Sequence, residues 1–328
     1  MSAMSLILAK LIIQPVFAAA FAVPVQEGDR LVLKGLEAQV QLVSIPGSNA
    51  VKVVGVDENS SAEGAYVISK KDNIIEVRMN EYDGKKAWMN ILPKASSQLR
   101  KIEISGLPVP TEIHLRGGSV VAQKWSKDLK VSLTQGRVSS LNGSGNLQVY
   151  VQKGDVNVAD HTGKVSADTY AGSMSIKNVQ GDVDASLFTG PLSLEKVHGF
   201  CAITSQIGPA KILQGTGTLQ FENGKGGLNI QGFQGRVDGQ NQEGSVTVQM
   251  AMDSEVDIKS KAGRVQVQAP AGSGASVNLL TIEGDIFVPN ELRVNKLSSE
   301  KSVRGRLRGE GQRGSIFVRS QDGAIIVK

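Results

Sequence analysis

Arginine alternates with other residues at one place in this chain: Arg304, Arg306 and Arg308, separated by Gly305 and Leu307. On a strand, alternate residues share a face. The three guanidiniums would line one side, and Val303 and Leu307 the other. Arg313 follows shortly after. Between 291 and 328 nine Lys or Arg stand against four Asp or Glu, a local balance of +5. The whole chain also balances at +5, so this end carries the excess. Such a patch can recruit anionic polymers or lipid headgroups. The competing reading is a solvated edge whose charge prevents sheets from stacking end to end. The anionic-ligand site expected from sequence is Arg304, Arg306, Arg308 and Arg313.

Other candidates are thinner. Asp182 and Asp184 share one strand face, with Lys164 and Ser166 on the coil beside them. Glycoside cleavage needs two positioned carboxylates, but a single pair beside a lysine is also an ordinary solvated surface. Asp155 and Asp182 follow glycines, as in the nonapeptide of calcium rolls. Lys164, Ser173, Pro191 and Phe200 fill the same slot elsewhere, and calcium wants about six to eight oxygen ligands. His114, His161 and His198 lack metal-ligand spacing. His161 and His198 fall in turn positions and read as exposed. Cys201, the sole cysteine, lies on the inward register and reads as a small core residue. No Ser-His-Asp arrangement, phosphate loop or dinucleotide fingerprint can be argued from spacing. No catalytic residue, metal or cofactor is therefore assigned. Phe200 occupies an outward position, and Tyr150 and Tyr170 occupy turns. An exposed aromatic on a flat sheet could stack against a sugar ring.

The elements that must position these residues are set by a repeat. Thirteen glycines run nine residues apart, from Gly136 through Gly190 to Gly244, each followed two residues later by an apolar or small residue such as Val156, Met174, Val183 or Cys201. Apolar-polar alternation after each glycine predicts a half-buried strand, and the glycine marks a turn. A unit this short holds no crossover helix. The second apolar position is uniformly large every eighteen residues, at Val158, Ile176, Leu194, Ile212, Ile230 and Val248. The interleaved set includes Ala167, Ala185 and Gly239. The pattern predicts an all-β fold, a single-stack β-solenoid with about nine residues per strand-turn unit and two units per coil. The rival, a meander of hairpins, would show two-residue Asn-Gly or Asp-Gly turns, which are scarce. After Gly244 the spacing slips by one residue and resumes at Gly263 and Gly272. Gly284 opens another unit, 289–302 reads as a loop or broken coil, and Gly305, Gly314 and Gly323 finish the chain.

Composition and the N-terminus set the setting. With 37 glycines in 328 residues and 4% aromatics, the chain suits thin, turn-rich coils better than a deep core. Lys10, the apolar run Leu11 to Phe17 and Ala20-Phe21-Ala22 resemble a secretory signal with cleavage after Ala22. Retention as an anchor is the alternative. The expected organisation is a signal peptide at 1–22, an irregular β cap of the solenoid at 23–117, and the glycine-periodic solenoid at 118–328.

The repeated Gly-Asp-Val-x-Val units resemble the bacterial "putative adhesin" β-solenoid family of envelope proteins. So do Val109-Pro110, Gly309-Glu310-Gly311 and the closing run from Ser315 to Val327. The resemblance spans roughly residues 30 to 328. It implies fold more than activity and brings no catalytic residues. The expectation is an exported, non-enzymatic envelope protein, in the periplasm or at the cell surface, acting as an adhesin-like binding or scaffold module. Its partners would be anionic envelope glycan, lipid headgroups or an envelope protein, with nucleic acid disfavoured and a monomer expected. Two alternatives remain open: a glycan-active enzyme on the same scaffold, and a self-assembling structural protein.

Overall fold

The structure, a computed structural model, describes residues 20–57, 64–80, 100–309 and 313–328. Residues 1–19 of the expected signal peptide, the turn cluster at 58–61 and Glu310-Gly311 lie outside the described residues. The protein is all-β: every regular element among the described residues is a strand.

Most of the chain pairs in parallel with itself eighteen residues further on. In a first ladder Leu129 pairs with Leu147, Leu147 with Val165, Val165 with Val183, and Val183 with Cys201. In a second ladder Val138 pairs with Val156, Val156 with Met174, Met174 with Leu192, and Leu192 with Ala210. The long strands Leu147–Thr162 and Leu192–Ile207 turn a corner and belong to both ladders. Together with Val165–Ala171, Met174–Gln180 and Val183–Thr189 they close a ring of five parallel strands.

The glycines stand where the backbone of one coil meets the next. At Gly154, φ is +144°, and a Cβ would lie 1.7 Å from the carbonyl oxygen of Gly136. No side chain fits there, so the period is a steric requirement repeated in each coil. A further corner carries non-glycine residues in all but one coil, where Gly232 stands at φ +66°. Lys124, Asn142, Asp160, Asn178, Lys196 and Gln214 all have φ between 51° and 54°. After it the chain turns inward through the row Trp125, Gly143, His161, Val179, Val197, Gly215 and Phe233. Bulk and its absence alternate here: a Cβ on Gly215 would meet the Phe233 ring at 2.6 Å, and one on Gly239 the Phe221 ring at 2.4 Å. The inward rows form one continuous apolar core, each large side chain contributing about 1.5–3 kcal/mol relative to exposure.

One inward row is polar. Asn223 Nδ2 donates to Gly226 O (2.9 Å) and to Asn241 Oδ1 (2.7 Å). Asn241 Nδ2 donates to Gly244 O (2.6 Å), Ser260 Oγ (2.9 Å) and Ala262 O (2.9 Å). Ser260 Oγ donates to Ala262 O at 2.8 Å. The row satisfies corner carbonyls that the core would otherwise strand.

Both ends depart from sequential stacking. The slip after Gly244 appears as a register of nineteen, Val246 pairing with Val265. The next coil in space is not the next in sequence. Glu255–Ser260 pairs with Ser315–Ser320, which pairs on its other side with Ser276–Thr281. In the second ladder Ile325–Val327 sits likewise between Val265–Gln268 and Ile286–Phe287. The last coil of the chain thus fills a slot left by the one before it. Over the terminal strand Ser276–Thr281 lies Glu300–Arg306, antiparallel, itself paired with Asn295–Leu297. Part of the stretch expected as a loop is therefore an antiparallel cap. Gly305 belongs to that cap and not to the glycine rows, whereas Gly323 stacks against Gly263. The N-terminal end has the same plan. Arg30–Ser44 pairs with Thr111–Gln123 on one side and with Ile74–Met79 and Arg100–Gly106 on the other. Antiparallel strands Tyr66–Lys71, Ala50–Val54 and Ala20–Pro24 complete that end. Ala20, Phe21 and Ala22, the expected cleavage motif, pair there with Val54, Val53 and Lys52.

Candidate functional site

The C-terminal arginines are placed by the cap strand. Val303 is 0% and Leu307 8% exposed, which turns their neighbours outward. Arg304 and Arg306 lie on Glu300–Arg306, opposite Asn278 and Ser276. Arg308 and Arg313 follow it, and all four side chains are exposed. The Arg308 backbone N–H donates to Glu291 Oε1 at 3.3 Å, tying the segment down. Nearby, Lys301 Nζ donates to Gly284 O (3.0 Å) and to Asp285 Oδ1. That contact holds the Asp285 carboxyl below the usual carboxylate range.

The acidic candidates are engaged in the coil corners. Asp182 Oδ1 accepts the Phe200 N–H at 3.1 Å, one coil on. Asp184 is exposed between Ser166 and Ala202. Asp155 Oδ1 accepts from Ser173 Oγ at 2.6 Å, and its Oδ2 accepts from Arg137 at 3.2 Å. The Ser173 hydroxyl first, and then Arg137, hold its carboxyl below the usual range against the effect of burial. Asp155 and Asp182 sit in different ladders. Among the described residues no three His, Cys, Asp or Glu lie together as a metal site.

Two histidines differ from the exposed turn residues expected. His161 is 3% exposed, its Nε2 sharing a 2.9 Å hydrogen bond with Gly145 O. Position 161 follows the non-glycine corner at Asp160, which turns its side chain into the core. Burial pushes its imidazole below the usual histidine range, against the pull of that bond. His198 is half-buried, with Nδ1 2.8 Å from Thr216 Oγ1. His114 lies 3.5 Å from Glu112 Oε2. Cys201 is buried in the core row, and desolvation, with Asp182 nearby, pushes its thiol up to about 12. A thiol so protonated is no nucleophile.

Tyr150 and Tyr170 lie on strands, not in turns. Tyr170 stacks on Phe188, eighteen residues on, with ring centroids 4.8 Å apart and planes 5° from parallel. Tyr150, Tyr170, Phe188 and Phe200 are all exposed on the outward face of the first ladder. Tyr150 stands in register beside Asp168. Further along that face a shallow groove of about 280 Å³ is lined by Thr204, Gln220, Glu222, Asp238 and Gln240, among others. Asp238 holds Arg236 at 3.2 Å. The eighteen-residue spacing of Tyr170 and Phe188 was the available signal for this face.

No family model matches the chain, and no curated protein matches it. One solved structure is similar: a "putative cell adhesion protein" from Clostridium sporogenes ATCC 15579, 11% identical, with 95% of this chain and 99% of that chain covered at a TM-score of 0.20. At that score the likeness carries no argument.

Proposed function

We propose that this chain is an exported, non-enzymatic bacterial envelope protein of the "putative adhesin" type. Its coils form a single-stack β-solenoid that serves as a binding or scaffold module. Its C-terminal arginines contact anionic envelope glycan or lipid headgroups. The observation that supports the reading is the joint exposure of Arg304, Arg306, Arg308 and Arg313 on and just after the cap strand, with Val303 and Leu307 anchored beneath. A row of guanidiniums on a rigid edge meets phosphate or carboxylate groups by charge-assisted hydrogen bonds. Such contacts weaken as salt rises.

The test is binding of the purified chain to isolated envelope fractions across a salt series, beside an Arg304→Ala/Arg306→Ala/Arg308→Ala variant. We expect salt-sensitive binding that falls at least ten-fold in the variant. Salt-insensitive binding, or equal binding by both proteins, removes the arginines from the mechanism.

A further inference from the structure

The exposed aromatic residues are not scattered. Single exposed apolar side chains are normal on any protein. Here four fall on one sheet face within four successive coils, those of Leu147, Val165, Val183 and Cys201. Tyr170 and Phe188 are stacked, and Tyr150 stands one coil before Tyr170 and two residues to its side. The surrounding outward positions are short or amide side chains: Gln148, Gln152, Ser166, Ser186, Thr204 and Gln206. The face then runs into the groove lined by Glu222 and Asp238. From the Leu147 coil to the Val237 coil are five coil spacings, about 24 Å at strand separation.

Charge selects the occupant. Across these coils the outward positions include Asp168, Asp182, Asp184, Glu222 and Asp238, beside the exposed cations Lys164 and Arg236. Of these cations Arg236 is held by Asp238, and Lys164 stands in the column of Asp182. A chain of net charge +5 thus carries one face on which carboxylates outnumber cations. That face repels phosphate and uronate polymers and accepts hydrogen bonds from hydroxyl or amine groups. Its rings offer flat apolar surface to the C–H faces of sugars, with little rotamer entropy to lose. A rigid parallel sheet keeps these groups pre-organised.

We infer that the outward face of the first ladder, from Tyr150, Tyr170 and Phe188 to the groove at Glu222, binds a glycan chain bearing no negative charge, lying along the stack. The site is separate from the C-terminal arginines, so the module would take two ligand classes at two places.

The experiment is binding of the full chain to cellulose, chitin and yeast mannan, with alginate as the uronate control. Tyr150→Ala leaves the Tyr170–Phe188 stack in place. A Tyr170→Ala/Phe188→Ala variant removes it, and circular dichroism melts check that both fold. We expect micromolar-range binding to at least one uncharged glycan, at least ten-fold weaker in each aromatic variant and unchanged in the triple arginine variant. Binding to none of the three, binding retained by both aromatic variants, or equal binding to alginate overturns the inference. Loss in the arginine variant alone would assign the affinity to the C-terminal end and equally overturn it.

Discussion

His161 shows how one polar side chain is tolerated in a coil interior. Val179 and Val197 occupy the same inward row in the next two coils, both buried. Burial favours the neutral imidazole and holds its pKa below the usual histidine range. An unfolded chain therefore takes up a proton that the folded chain does not as pH falls through about 6.5. The stability this group permits is present above that pH and declines below it. The thermal midpoint should fall between pH 7 and pH 5. His161→Val, which copies the neighbouring coils, should flatten that part of the dependence and raise the midpoint at pH 5. An unchanged slope in the variant would assign the acid sensitivity to other groups. The sequence placed His161 in a turn because no glycine marks the corner at Asp160. Polar residues with φ near +54° do there what glycine does elsewhere, at a cost of about 1–2 kcal/mol each.

At the level of the strand and its corners, the nine-residue period was readable because each coil repeats the same steric demand. A glycine that lacks room for a Cβ cannot vary, and an inward valine varies only in size. The polar row of Asn223, Asn241 and Ser260 was not readable that way. Its members are eighteen and nineteen residues apart, and they look like turn residues until the coils are stacked. Their hydrogen bonds tie three coils together in a buried setting, where a lost partner is costly. Asn241→Leu leaves Gly244 O and one Asn223 proton without partners and takes from Ser260 Oγ its donor. We expect a loss of about 2–4 kcal/mol, read as a lower denaturation midpoint. A leucine that costs only a few tenths of a kcal/mol would mean that water serves these groups equally well. Of the candidate sites, the arginine edge was legible because alternation and charge are local. The aromatic face was legible only in part: spacing links Tyr170 and Phe188, but register alone brings Tyr150 beside them.

Across the whole molecule strand pairing departs from chain order at both ends. Nothing local distinguishes the coil at Ser276–Phe287 from the one at Ser315–Val327, since both alternate apolar residues in the same way. Tertiary pairing alone decides which is internal. Removing residues 315–328 would leave the facing edges of Glu255–Ser260 and Ser276–Thr281 without their shared neighbour, as well as those of Val265–Gln268 and Ile286–Phe287. Unpaired parallel edges template further strands. A chain ending at Gly314 should scatter light and elute as large species, where the full chain does not. A truncated chain that stays small and melts at the same temperature would show that the internal coil is dispensable.

That inserted coil also sets a clock. A stack laid down in chain order could settle coil by coil as it leaves the ribosome or a translocation pore. This one cannot, because the slot between two earlier coils waits for residues 315–328. Until those arrive Glu255–Ser260 and Ser276–Thr281 each keep a bare edge, so neighbours in space are seated in an order that the ribosome does not follow.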